Sequence, residues 1–424
     1  MRIQKIYKYS SILSMTSVTF TLLILIYSLT GCSMPTVETI FAEGPTPTVV
    51  ASKDNLEGLE ISLESTTPTP TPTVVSVANS VDLQLQLEPA LIAEVESVRA
   101  QVHKNIQRWL AGGDLARPNG YVYAIDIAQL LIYFADVGDL ENYNRFRQLA
   151  LDNLIINDRS DPFTQGFVGW RYSPSEPVDA SGTTEALWIA NGLWKGFQQF
   201  YDPTDEELAQ LILNGYAEHG FVDQQVWFIR NYFNFETRAF APNSYMVNYH
   251  PDFVQEVASK SNNDNLTTLA ENSNQLIRQS QAPSGLLHSI VLPELKTLYP
   301  EFNVVVFSPN DIIQLSNACA IAETAVETDP ELGRQVLSFA ENNFDDLKSY
   351  YYGHTGEPAH DLPARFTEWT CLVRLSARLN DATLTPKLIE QALPFWKSFS
   401  ERPGPPRLYQ AGQMLLTIDA IIGN

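Results

Sequence analysis

Beyond about residue 88 the sequence predicts an all-α fold of about twelve helices paired into six hairpins, on three observations. Apolar residues recur with the 3.6-residue helical period near 90–111, 124–136, 141–156, 182–200, 205–219, 246–258, 264–280, 310–326, 329–347, 363–379, 385–399 and 408–422. Three of these segments open alike, with a capping residue and a Pro near the first turn: DPTDEEL at Asp202, TDPEL at Thr328 and TLTPKL around Thr385. Each is the second member of a pair. The first members begin near 124, 182, 246, 310, 363 and 408, a spacing of roughly 45 to 65 residues that fits two helices plus a long loop.

In chain order, an address comes first. Arg2, Lys5 and Lys8 form a basic start without acidic residues, followed by an apolar, hydroxyl-rich run from Ile12 to Leu29 and then Leu29-Thr30-Gly31-Cys32. This LTGC resembles the bacterial lipoprotein box. The resemblance implies a signal peptide over 1–31, cleavage before Cys32, acylation of that cysteine, and an extracytoplasmic protein anchored by lipid in the cell membrane or outer membrane. Residues 32–80 contain the Pro-Thr tracts GPTPTVV and TTPTPTPTVV, which favour extended chain and offer no apolar stripe, so they read as a tether. The helical domain is expected over 81–424.

Formal net charge is −22, and removing residues 1–31, with three basic and no acidic residues, moves it to −25. So acidic a chain repels nucleic acid and anionic bilayers, which leaves neutral or cationic ligands. Cys319 and Cys371 lie in apolar helical patterns and read as small buried hydrophobes rather than a disulfide. Without CxxC or HExxH spacing, no metal site is expected.

Twelve paired helices of alternating apolar and mixed character resemble the (α/α)6 toroid of several glycoside hydrolase and polysaccharide lyase families. That resemblance implies an inner ring of six helices whose loops on one side form a substrate cleft, and an open solenoid is the alternative. The segment ASGTTEALWIA from Ala180 is similar in outline to the Ala-Ser-Asp-Ala-Asp segment of family 8 toroids. Here Gly182 and Thr184 stand where the family has aspartates.

Residues at the starts of the inner helices should then share one funnel. They are Tyr121, Tyr123 and Asp126; Trp170, Arg171, Tyr172, Asp179 and Glu185; Asn243, Tyr245, Asn248, Tyr249 and His250; Asn310 and Asp311; His354, His360, Asp361, Arg365 and Glu368; and Arg407, Tyr409 and Gln410. Aromatic faces that stack on pyranose rings, with amides, Arg and carboxylates for hydroxyls, are the chemistry of a polysaccharide or oligosaccharide cleft.

Glycoside hydrolysis needs one protonated and one ionised carboxyl group, and no metal or cofactor. Glu185 as acid and Asp126 as base are the expected pair, with Glu368 a further catalytic candidate. Glu185 lies off the buried stripe of Ala186, Ala190, Leu193, Phe197 and Phe200, on the face of Ile189, Gly192 and Gly196, where glycines would admit another backbone. Gly182 gives it no reciprocal hydroxyl for a capping box. Asp126, among apolar neighbours, is either paired or kept for function. Asp311 reads as a cap three residues after Ser308. Trp170, Arg171, Tyr172, Asp179, Tyr249, His250 and Arg365 are the expected sugar contacts. Trp170 and Tyr172 form either a stacking platform on a short hairpin or a minicore, and His250 is a plain surface histidine if it is not a ligand. A lyase would use Tyr249 or His250 as base; a non-catalytic toroid would bind glycan or a protein partner. A monomer is expected.

Overall fold

The computed structural model describes residues 87–113, 115–223, 226–291, 311–402 and 404–423. The expected signal peptide (1–31), Cys32, the expected tether (32–80) and Asn310 lie outside the described residues.

Twelve α-helices occur among the described residues: α1 (Pro89–Gly112), α2 (Ala124–Asp136), α3 (Leu140–Asn153), α4 (Thr183–Phe200), α5 (Pro203–Ala217), α6 (Pro251–Ser261), α7 (Asp264–Gln279), α8 (Leu315–Glu323), α9 (Pro330–Asn342), α10 (Phe366–Arg378), α11 (Leu384–Ser400) and α12 (Leu408–Ile422). The even-numbered helices form the inner ring. Helix α2 packs on α4, α8 on α10, α10 on α12, and α12 back on α2. At the third position the contacts to α4 and α8 are made by a 3-10 turn, Met246–Asn248, just ahead of α6. The odd-numbered helices sit outside, with α1 covering α11 and α12. The ring therefore closes, and the fold is an (α/α)6 toroid.

Two inner helices start differently from expectation. Pro251 biases His250 away from helical backbone, so the third begins as a 3-10 turn and restarts at Pro251. The fourth begins at Leu315, because β-branched Ile312 and Ile313 are in a strand (Ile312–Gln314) paired with Tyr350–Tyr352. Short strands likewise lead directly into α2 (β1, Val122–Tyr123) and α4 (β3, Ala180–Gly182). The partner of β1 is β2, Arg171–Tyr172, which is also one arm of the expected short hairpin, closed by the Gly169–Ser181 and Ser173–Glu176 bridges, so Trp170 and Tyr172 lie on a hairpin tied to the α2 entry.

Gly192 and Gly196 admit side chains, not a backbone. A Cβ at Gly192 would lie 2.7 Å from Leu131 of α2, and one at Gly196 would overlap the Tyr143 hydroxyl, which donates to buried Asp205 at 2.6 Å. Cys319 of α8 and Cys371 of α10 form a disulfide with Cα atoms 6.1 Å apart, correcting the expectation of two free thiols. Helix neighbours in a ring bring together cysteines 52 residues apart, which local pattern cannot reveal.

Two outcomes follow from this packing. Gly196→Ala should lower stability by about 1 to 3 kcal/mol through overpacking against Tyr143, measured by denaturant unfolding. Replacing both cysteines with Ala should cost about 4 kcal/mol, the chain-entropy value for a loop of this length, and should abolish any effect of reductant on the unfolding midpoint.

Candidate active site

The helix-entry strands carry the site. In the loop Arg117-Pro118-Asn119-Gly120, Gly120 adopts φ +84° and its N–H donates to the Arg117 carbonyl at 2.8 Å, folding Arg117 back towards the start of α2. There Arg117 donates from Nε and Nη2 to the two oxygens of Asp126, at 2.9 and 2.6 Å, and its guanidinium lies 4.0 Å from the Tyr123 ring and 5.8 Å from Tyr409 of α12. Asp126 is 1% exposed. The structure thus gives Asp126 a partner on both oxygens, at the entry of the inner helix.

Glu185 occupies the third position of α4, whose cap residue is Gly182. Its carboxyl folds back over Gly182, where any Cβ would overlap Oε2, and Trp170 Cβ borders the same point at 3.2 Å. Glycine at 182 is therefore what lets the carboxyl sit there. Burial pushes the Glu185 carboxyl up to about 7; its own backbone N–H and Arg117 oppose the rise, and Asp126 adds to it. Few carboxyl groups are so placed to exchange a proton at neutral pH.

Trp170 extends the cluster. Its indole donates to Asp179 at 2.6 Å, its ring meets Tyr123 edge-on at 5.7 Å, and Arg171 lies 4.1 Å above it and 3.8 Å from Tyr121. Arg171 also reaches Asp179, and Tyr121 donates to Glu176. Tyr172 instead packs against the core, so only Trp170 remains as a platform. On the other side of α4, Thr184 donates to Asn248, whose amide donates to Asn231 at 2.8 Å. Asn317 of α8 donates to Tyr245 at 3.5 Å and Gln314 at 3.3 Å. These pairs join the N-terminal ends of neighbouring inner helices and define one mouth of the ring.

Other expected site residues are elsewhere or otherwise engaged. Tyr249 is fully buried, its oxygen accepting from Ile229 N–H at 2.7 Å and lying 2.7 Å from the Ser244 hydroxyl. His250 is not a surface histidine: its Nδ1 accepts from Phe253 N–H at the start of α6, and burial drives its pKa down to about 3. Glu368 is 4% exposed and accepts from the Arg365 N–H at 2.9 Å, so its carboxyl caps α10. Arg365 itself is exposed. Asp311, at φ +52°, caps no helix; its carboxyl accepts from His354 N–H at 2.9 Å and lies 3.7 Å from His288. Arg117, Asn231, Gln314 and Asn317 escaped the sequence reading, and Thr184 entered it only as a departure from the family 8 outline. For Arg117 alone a signal existed, the Pro-Asn-Gly turn that reverses the chain nine residues before Asp126.

Because folding raises the Glu185 pKa, its contribution to stability is full below its unfolded pKa and lost as pH rises through about 7. Glu185→Gln removes that loss. The stability of the variant relative to wild type should climb by about 3 kcal/mol between pH 4 and 8, followed by urea unfolding. Gly182→Ala should expel the carboxyl into solvent and bring its pKa, read by carbon NMR, down towards the ordinary carboxyl value.

No protein-family model matches the sequence, and no curated protein matches it. Solved structures do resemble it. An alpha-amylase from Clostridium perfringens superposes with a TM-score of 0.58 at 12% identity, covering 71% of this chain and 86% of its own. A beta-1,3-1,4-glucanase from Paenibacillus sp. X4 gives 0.57 at 11% identity, over 78% and 93%. Rex8A from Paenibacillus barcinonensis gives 0.52 at 15% identity, over 80% and 96%. At such identities the likeness concerns architecture, and it agrees with the closed ring: the chain has the toroidal fold of these glycosidases.

Proposed function

We propose that this chain is a carbohydrate-active protein that takes an oligosaccharide into the mouth of its ring and protonates a glycosidic oxygen from Glu185. The observation that carries this reading is the Glu185 carboxyl, folded over Gly182 beside Trp170 and pushed up to about 7 by burial. The alpha-amylase, glucanase and oligosaccharide-bound Rex8A structures of the same fold support the substrate class. In the step proposed, the Glu185 proton passes to the leaving oxygen as its bond to the anomeric carbon breaks. Water attacks that carbon and gives its own proton to a carboxylate. Asp126 has both oxygens on Arg117, so it must exchange that partner for water to serve. Two carboxylates of the cluster reach solvent: Glu176, which accepts from Tyr121, and Asp179, 52% exposed and bonded to the Trp170 indole at 2.6 Å and Arg171 at 3.4 Å. We assign the water to Asp179, because Trp170 also borders the Glu185 carboxyl. Asp126 then acts by holding Arg117 in place.

A second reading, a toroid that binds glycan without cleaving it, is favoured by the closure of Asp126. Against the lyase reading, the Tyr249 oxygen is buried on Ile229 N–H and Ser244, and His250 caps α6 beside the far cavity. We further propose that the protein is exported and lipid-anchored through Cys32; the LTGC box supports this, and a disulfide between Cys319 and Cys371 is stable in an oxidising compartment.

The full-length protein, screened on neutral, amino and acidic polysaccharides for binding and new reducing ends, tests the first two readings. Cleavage should fall about 100-fold or more in Glu185→Gln with binding retained, and Asp179→Asn should lose it likewise. Because the donor must be protonated, the wild-type rate should decline as pH rises past about 7. Binding without cleavage would leave the recognition reading, and silence on every glycan would sink both.

A further inference from the structure

Ten residues along α4 from Glu185, or about 15 Å at helical rise, Lys195 borders a second polar space. This cavity, of about 340 Å³, is walled by the C-terminal halves of α2, α8, α10 and α12, the middle of α4 and the start of α6. Its volume is that of a small-molecule site, and none of the residues discussed for the mouth lines it, apart from His250.

The charges of this cavity do not balance. Six carboxylates face three cations, and the cations are committed. Lys195 donates to Asp136 at 2.7 Å. Arg374 donates to Glu323 at 2.5 and 2.7 Å. Arg378 donates to the Glu323 carbonyl at 2.9 Å and to Glu327 at 3.3 Å. His250 adds no charge at neutral pH. Of the three other carboxyls, Asp252 accepts from the Glu327 and Thr328 N–H groups, each at 2.9 Å, and Glu256 accepts from Lys260 outside the cavity at 2.8 Å. The one left over is Asp419 of α12, whose Oδ1 is buried with no hydrogen-bond partner among the described residues.

Two further groups face the same space. Asn191, 9% exposed, lines the cavity and makes no hydrogen bond among the described residues. Trp188, one turn earlier on α4, presents a half-buried indole. A carboxyl without a partner, an amide able to donate and accept, and an indole face together suit a cation that also carries hydroxyls.

We propose that this cavity binds a small protonated amine bearing hydroxyl groups, an amino sugar, with its ammonium on Asp419, its hydroxyls on Asn191 and a ring face against Trp188. The proposal does not depend on the reading of the mouth. Glucosamine is the probe, and calorimetry on the full-length protein is the measurement. Glucosamine should bind about tenfold more tightly than glucose, and Asp419→Asn should erase that difference. Asn191→Ala, which touches no ion pair, should weaken both sugars; Glu185→Gln should change neither. Equal affinity for the two sugars, wild-type affinity in both cavity variants, or no binding tighter than about 10 mM would overturn the assignment.

Discussion

Closure of the inner ring depends on one close approach. Helix α12 must dock against α2 although some 280 residues of chain separate them, and Gly412 is where it does so: a Cβ there would lie 2.5 Å from Gln129 Oε1 and 2.7 Å from its Cβ. Neither amide atom of Gln129 has a partner among the described residues, so at this point the two helices meet by packing. Until α12 arrives, α2 lacks a neighbour on one side and Arg117 lacks Tyr409. Contacts at that sequence separation form late in folding because loop-closure entropy must be overcome first. The site is therefore assembled by the last helix of the chain.

Ionic pairs do for the rest of the ring what close packing does at that seam. Glu323 and Arg374 join α8 to α10 with two hydrogen bonds in a buried setting, and Arg374 reaches on to Gln413 of α12 at 2.9 Å. Such pairs add little net stability against an apolar replacement, but removing one partner strands a buried charge at a cost of about 3 to 5 kcal/mol. Their effect is to fix which helix neighbours which.

Much of the architecture was legible in the sequence. The bounds of α2 and α12 match the 124–136 and 408–422 periodic segments to the residue, because apolar period and start signals are local properties. The place of Glu185 at a helix start, off the buried stripe and over a Gly182 without a hydroxyl, was legible too. What local pattern cannot show is contact between distant segments. The partner of Asp126 was hidden for want of a turn reading, Cys371 was hidden from Cys319, and His250 read as a loop residue because nothing nearby in sequence tells that α8 and α10 wall it in. Glu368 was misread for a simpler reason: at the third position of a helix, a carboxyl most readily bonds the cap N–H.

The starts of α2, α4 and α8 lie at the mouth while the C-terminal halves of α2, α8, α10 and α12 wall the far cavity, so these inner helices run in one direction. Their peptide dipoles then add along the ring axis, positive towards the mouth and negative towards the end where Asp136, Glu323 and Asp419 gather. A protein whose overall charge repels anions carries, at the mouth, a local field that favours them. An oxygen gaining negative charge there is stabilised before any side chain moves, and the same field makes the far end the side at which a cation would rest.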